Sequence, residues 1–405
     1  MNLFDGVISI QSIGFLMFTV FAIAAVGYVF GRITIKGVSL GDAGVFIIAL
    51  LYGCFFYDNL SDNLMVADAS YVSNALKIVE NMGLILFVTS VGFIAGPNFF
   101  GNFKKNFKSY VLLALVVIVM GGLSCAGCIL VGQNFTDLSL EELSAMLVGL
   151  LSGSLTSTPA FSAAKATVDP ALEDLVSVGH GIAYLFGVIG VVLFVQIVPK
   201  MLKVNMAEER KNLVVAESSS LKKEYKGKLI EMDEFGLMPF ALAAILGIFF
   251  GSIKIGNFSL TTTGGCLLVS LVLGHFAHIG PVSVSPKPAT LKVFRELGLM
   301  LFLIGAGVAG GASFVKYFES IYFVYGIIMT IIPMIVGFLF AKYVLKLSIL
   351  NNLGSITGGM TSTPALGTLI NTAGTENVAS AYAATYPVAL ISVVLVSQFL
   401  IILFR

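Results

Sequence analysis

The sequence predicts an all-α membrane protein built from two inverted repeats of about five transmembrane helices, each with a re-entrant or broken-helix hairpin. Three observations lead there. The composition is too apolar for a water-exposed surface, the two halves of the chain are copies, and a polar pentapeptide, Thr-Ser-Thr-Pro-Ala, occurs once in each half, at residues 156–160 and 361–365.

Of 405 residues, 57% are apolar and 11% charged, with a mean hydropathy of +0.98. A soluble domain has about 25% charged residues, so a lipid bilayer is the expected surrounding. The net charge of +1 gives nucleic acid no electrostatic reason to bind. Residues 1–11, MNLFDGVISIQ, contain no Lys or Arg. The apolar run after them therefore reads as a first span rather than a cleaved signal peptide.

A helical span needs about 20 apolar residues. In repeat 1, residues 1–199, apolar segments lie near 13–31, 43–57, 81–97, 109–131, 143–168 and 179–199. In repeat 2, residues 236–405, they lie near 236–253, 262–279, 296–312, 321–343, 352–370 and 379–404. Residues 200–235 between them mix charges with a Ser run and read as a solvated, cytoplasmic linker. The duplication shows residue by residue. Gly27, Phe30, Gly31 and Gly44 recur as Gly247, Phe250, Gly251 and Gly264, and Gly83-Leu84-x-Leu86-Phe87 recurs as Gly298-Leu299-x-Leu301-Phe302. Tyr184 to Gln196 aligns with Tyr386 to Gln398. Membrane repeats of this kind are typical of secondary transporters.

Lys and Arg favour the cytoplasmic side, and the linker is rich in them. Were every first-half segment to cross, Arg32, Lys36, Lys104, Lys105 and Lys108 would face outward. If the fifth segment instead enters and leaves on one side, these residues move inside, while Asp58, Asp62 and Asp68 move outside. The second half then places Lys287, Lys292, Arg295, Lys342 and Lys346 inside as well. Each repeat has five crossings, the second is inverted, and both termini lie outside.

Local chemistry agrees that the pentapeptide is not on a simple transmembrane helix. Proline disfavours the α conformation in the residue before it, so the incoming helix should end near Thr156 or Ser157. Thr158 suits an N-cap and Pro159 the first helical position; Thr361, Ser362, Thr363 and Pro364 read the same way. Two such breaks related by inversion would aim two helix N-termini at the bilayer middle. Their N–H groups and positive dipole ends favour a carboxylate, and the preceding arms offer carbonyls to a cation.

The stretches GSLTSTPA, GGMTSTPAL, GLMLFLIGAGVAGG and Tyr386-Pro387-Val388-Ala389-Leu390 resemble the aspartate:alanine exchangers and related transporters with a duplicated membrane domain. The resemblance covers nearly the whole chain except the linker. It implies exchange of amino acids such as aspartate and alanine, or of dicarboxylates, across a prokaryotic inner membrane. The chain departs from that pattern twice. Members usually carry ligand-binding domains between the repeats, where this chain has only residues 200–235, and the mate of Tyr386-Pro387 is Tyr184-Leu185.

The candidate substrate-binding set is thus Thr156, Ser157, Thr158, Pro159, Thr361, Ser362, Thr363 and Pro364. Tyr184 and Tyr386 join it from equivalent positions on the flanking spans. Lys165, two turns beyond Thr158, is a countercharge for a second carboxylate. Plainer readings stand beside these: a packing kink, core tyrosines, and a Lys165 that snorkels to the outer interface. Glu80 reads as a dipole partner at a helix start, and His180 as an interface residue. Cys125-x-x-Cys128 and Gly305 to Gly310 lie in apolar runs without the strand or ligand context of their motifs, and read as small packing residues. No metal or cofactor is implied.

The leading function is an antiporter for small carboxylates working by alternating access, not an enzyme. A Na⁺- or H⁺-coupled symporter or exporter, and an ion channel, are the alternatives. An intramembrane enzyme using Ser157 or Ser362 as a nucleophile would need a general base within reach, and none stands in their immediate sequence. No G-x-x-x-x-G-K is present to bind ATP. A homodimer is compatible with this reading.

Overall fold

The computed structural model describes residues 2–3, 8–9, 12–35, 38–39, 41, 43–66, 69–105, 107–213, 229–255, 258–259 and 261–405. Lys36, Asp68 and linker residues 214–228 lie outside the described residues.

Repeat 1 consists of α1 (Ser12–Gly31), α2 (Ala43–Asn63), α3 (Val72–Lys105), α4 (Leu112–Gly132), α5 (Leu140–Ser154), α6 (Thr158–Thr167) and α7 (Glu173–Met201). The short α8 (Met206–Glu209) follows. Repeat 2 consists of α9 (Leu237–Gly251), α10 (Thr261–Phe276), α11 (Pro288–Tyr317), α12 (Ile321–Leu339), α13 (Ile349–Gly359), α14 (Thr363–Ala373) and α15 (Ala379–Leu403). Two-residue antiparallel ribbons, such as Thr34–Ile35 with Val38–Ser39, are the extended structure among the described residues. Helices α1, α2, α3, α4, α7, α11, α12 and α15 are long and apolar enough to cross a bilayer. The 15-residue α9 and 16-residue α10 are shorter apolar helices; with them each repeat has five membrane helices. The pairs α5–α6 and α13–α14 are the broken hairpins.

Helix α3 starts well before the apolar segment that announced it, because Ser73, Asn74, Lys77, Glu80 and Asn81 dilute its first turns. It lies antiparallel beside its own mate, α11. Gly305 meets Glu80 and Leu76, while Gly298 meets Gly83 and Phe87. A Cβ on Gly83 would stand 2.6 Å from the Gly298 carbonyl oxygen, and one on Gly298 would stand 2.6 Å from that of Gly83. Only glycine allows this approach. Equivalent residues meeting across antiparallel equivalent helices define a two-fold axis perpendicular to them, so the repeats are inverted.

The remaining packing recurs in pairs: α2 on α11 as α10 on α3, α7 on α12 as α15 on α4, and α6 on α15 as α14 on α7. The core runs through the hairpins, where Leu143, Met146, Leu147, Leu150 and Leu151 of α5 and Leu350, Leu353 and Ile356 of α13 are fully buried. Phe21 and Val29 on α1, and Ile245 and Phe249 on α9, present exposed apolar surface suited to lipid. The start of the linker is docked: the Glu209 carboxylate accepts the Ile349 N–H of α13 at 2.9 Å. The Arg210 guanidinium lies against Gly374 at the end of α14.

Candidate functional site

Both hairpins break in the same way. Helix α5 is followed by Leu155, then Thr156 at φ 50°, then Ser157 in extended conformation. Helix α13 is followed by Met360, then Thr361 at φ 50°, then extended Ser362. A left-handed φ is strained for a β-branched residue, and here a reciprocal contact holds it. The Thr156 hydroxyl donates to the Met360 carbonyl at 3.0 Å, and the Thr361 hydroxyl donates to the Leu155 carbonyl at 2.7 Å. Each covers a helix-end carbonyl that its own helix leaves unpaired. The two breaks therefore cross in the buried interior, with the starts of α6 and α14 beside them. Those two carbonyls are taken, so the expectation that the preceding arms offer carbonyls to a cation is reduced accordingly.

The expected cap is corrected by one residue. Ser157, not Thr158, is the N-cap of α6, its hydroxyl accepting the Ala160 N–H at 3.4 Å. The left-handed Thr156 turns the chain early, which leaves Ser157 as the last extended residue and puts Thr158 and Pro159 in the first turn. In the second hairpin Ser362 holds the cap position but makes no cap bond, and its hydroxyl is buried without a partner among the described residues. Thr363 opens α14; the side chains of Thr363 and Pro364 lie outside the described ones.

Lys165 does not snorkel. It is buried at the end of α6, with its ammonium 2.8 Å from one carboxylate oxygen of Glu80 and 3.0 Å from the other. Glu80 is likewise no helix-start residue, because α3 begins at Val72 and carries it two turns inward. His180 is fully buried rather than interfacial. Its Nδ1 lies 2.8 Å from the Ser152 hydroxyl, and its ring stacks on Phe161 at 4.1 Å with Phe46 edge-on at 5.4 Å. The His180 Nε2 has no partner among the described residues. Sequence reasoning missed the Glu80–Lys165 and Ser152–His180 pairs. The available signal for His180 was its register, one turn before Tyr184.

Tyr184 and Tyr386, equivalent in sequence, have unlike surroundings. The Tyr184 ring is 5.1 Å from His180. Tyr386 stacks on Tyr382 at 5.2 Å and lines an open cavity of about 280 Å³ with Val91, Ile94, Ala95, Arg295 and Pro387. The structure thus joins Thr156, Ser157, Thr361 and Ser362 at one crossing, and sets Lys165 with Tyr184 on one side and Tyr386 on the other. Cys125 donates to the Leu147 carbonyl at 3.4 Å as a packed free thiol.

A family model described as a predicted permease membrane region matches residues 19–200 and 239–402, skipping the linker. The chain is 25% identical to an uncharacterized transporter of Bacteroides thetaiotaomicron, over 94% of this chain and 97% of the relative. An uncharacterized transporter of Bacteroides fragilis is 26% identical, over 94% and 97%. One of Rhodopirellula baltica is 24% identical, over 94% and 98%. The first of these alignments runs over 543 residues, more than this chain possesses, so the relative carries sequence that is missing here. Two matched halves, the inverted repeats and the paired breaks place this multi-pass membrane transporter in the aspartate:alanine exchanger family, to which the chain belongs.

Proposed function

We propose that this transporter exchanges small carboxylates, namely amino acids such as aspartate and alanine or dicarboxylates, across a prokaryotic inner membrane by alternating access. The observation that carries the reading is the reciprocal contact of Thr156 and Thr361, which joins the two breaks just ahead of α6 and α14 in the interior. Helix N-termini attract carboxylates, and the Ser362 hydroxyl, without a partner among the described residues, adds a donor. Lys165 supplies positive charge nearby, held by Glu80 in this state. Catalysis fits less well. The Ser152 hydroxyl beside His180 is fully buried and also bonds the Gly149 carbonyl at 2.7 Å, which is a structural arrangement.

Coupled symport is the second reading, favoured by the buried Glu80–Lys165 pair, since ionisable pairs at membrane depth mark ion pathways. Counterflow in proteoliposomes separates the two. Vesicles loaded with unlabelled aspartate, alanine or succinate should accelerate uptake of the labelled acid. Uptake driven by an imposed Na⁺ or pH gradient, with no requirement for internal substrate, would favour symport. Absence of both responses for every carboxylate would sink the proposal.

A further inference from the structure

The two sides of the pseudo-symmetric fold are not equally closed. Leu76, Lys77, Gly83, Gly92 and Gly96 align with Leu291, Lys292, Gly298, Gly307 and Gly311. That register makes Arg295 the mate of Glu80. On α7 and α15, the Tyr184–Tyr386 register makes Tyr382 the mate of His180.

On the repeat 1 side the space between α7 and α11 is filled and tied, while a shallow cavity of about 550 Å³ lined by Tyr71, Lys77 and Asn81 lies on the other face of α3. Glu80 is bonded to Lys165, and His180 stacks on Phe161 with Phe46 edge-on to both rings. Gly310 of α11 presses on α7 so closely that a Cβ would stand 2.5 Å from the Ser177 Cβ. Two more links hold the start of α7: Lys77 to Glu173 at 3.2 Å and Ser313 to Asp174 at 2.9 Å. On the opposite side α3 and α15 part around the cavity lined by Arg295, Tyr382 and Tyr386. Side chains account for the difference. The mates of Phe46 and Phe161 are the smaller Cys266 and Leu366, and the mate of Lys165 is the uncharged Ile370.

We propose that the cavity between α3, α11 and α15 is an access site where a small carboxylate first binds on Arg295, and that Glu80–Lys165 is the closed gate at the pseudo-symmetric position. The inference rests on the carboxylate-transport reading. Guanidinium groups suit carboxylates and carry five donors. Glu296 accepts from Nε at 3.1 Å and from Nη2, which leaves donors for a second acid. A neighbouring acid keeps binding weak, as an access site requires for release. The depth also fits. The Tyr382 backbone packs on Gly358, one turn before Thr361, so the wall of the cavity lies about a turn from the crossing.

The test uses single cysteines in the full chain with its four native cysteines replaced, reconstituted in vesicles of defined orientation. Ala383 lines the cavity, and Ala309 is the mate of Ile94 on the closed side. A membrane-impermeant thiol reagent should label Ala383→Cys from one face and Ala309→Cys from neither. Aspartate or succinate should protect Ala383→Cys, and Arg295→Gln should raise the protecting concentration roughly tenfold or more, as for loss of a charged hydrogen bond, while Arg295→Lys retains most of it. Glu80→Gln should expose Ala309→Cys to the opposite face, and Glu80→Lys combined with Lys165→Glu should close it again. Equal labelling of both cysteines from the same face, no labelling of Ala383→Cys, or protection indifferent to Arg295 would overturn the inference. Failed protection in protein that still performs carboxylate counterflow overturns the access site alone. Loss of counterflow in the unsubstituted chain overturns the transport reading beneath it.

Discussion

Thr156 and Thr361 each donate a hydroxyl to the carbonyl of the residue just before the other, at 3.0 and 2.7 Å. Both hold a left-handed backbone to do so. The pair joins the two hairpins where their helices are interrupted.

Replacing either threonine by Ala should destabilise the protein by about 1–3 kcal/mol, because it leaves a buried helix-end carbonyl unsatisfied. Ser should be tolerated, and Val should be at least as harmful as Ala. The double Ala variant should be non-additive, since the two bonds share one crossing. Thermal unfolding in detergent measures the stability, and substrate binding measures the function. Stability loss with unchanged affinity would make the crossing a structural joint rather than part of a substrate site.

The Glu80–Lys165 pair should behave as a buried ion pair. Glu80→Gln or Lys165→Met alone should cost roughly 3–5 kcal/mol, because each strands a buried charge or its donor. Glu80→Lys with Lys165→Glu should recover most of that loss. Melting temperatures of the three variants decide; single variants as stable as the parent would mean that water reaches the pair.

The linker should divide functionally at its docked end. Deleting residues 214–222 should leave counterflow intact. Deleting 208–222, or changing Glu209 to Ala, removes the acceptor at the start of α13 and should slow exchange, with a capping loss of about 1 kcal/mol. Equal rates from both deletions would reduce the linker to a plain tether.

Asp233 should shape the acid limb of stability. Its carboxylate accepts the Met238 N–H at 2.7 Å and those of Gly236, Leu237 and Phe235 at 2.6, 2.8 and 3.0 Å. These bonds, that of Met238 foremost, hold the carboxyl below its ordinary value of 3.8. A carboxyl lowered by folding contributes stability that is present above its unfolded value and is lost as pH falls through the folded one. Asp233→Asn should therefore flatten the fall of melting temperature at pH below about 4. An unaltered acid limb would show that the cap at α9 is unimportant.

The spans, the inversion and the two breaks were legible because each rests on a local signal. Apolar length marks the helices, Lys and Arg placement marks the inversion, and Pro159 and Pro364 mark the interruptions. The cap was misplaced by one residue because Thr-Ser-Thr offers three hydroxyls and only the backbone turn at Thr156 selects Ser157. The ion pair was hidden for a different reason. Glu80 and Lys165 are separated by 85 positions, and charge type alone does not say which helices meet. The openness around Arg295 was equally hidden, since it depends on comparing Phe46 and Phe161 with Cys266 and Leu366 in three dimensions.

The contact of Gly83 with Gly298 also bears on descent. A residue that touches its own counterpart across a two-fold axis is what two separate half-length chains, inserted into the membrane in opposite directions, would form as a homodimer. In such a dimer both subunits must present the same residue at every position, so an acid at one place means an acid at the other. Fusion into one gene removes that constraint, and only then can Glu80 face one half of the molecule while Arg295 occupies the matching place in the other. A preference for one open side over the other is thus a property that an ancestral assembly of identical chains could not encode.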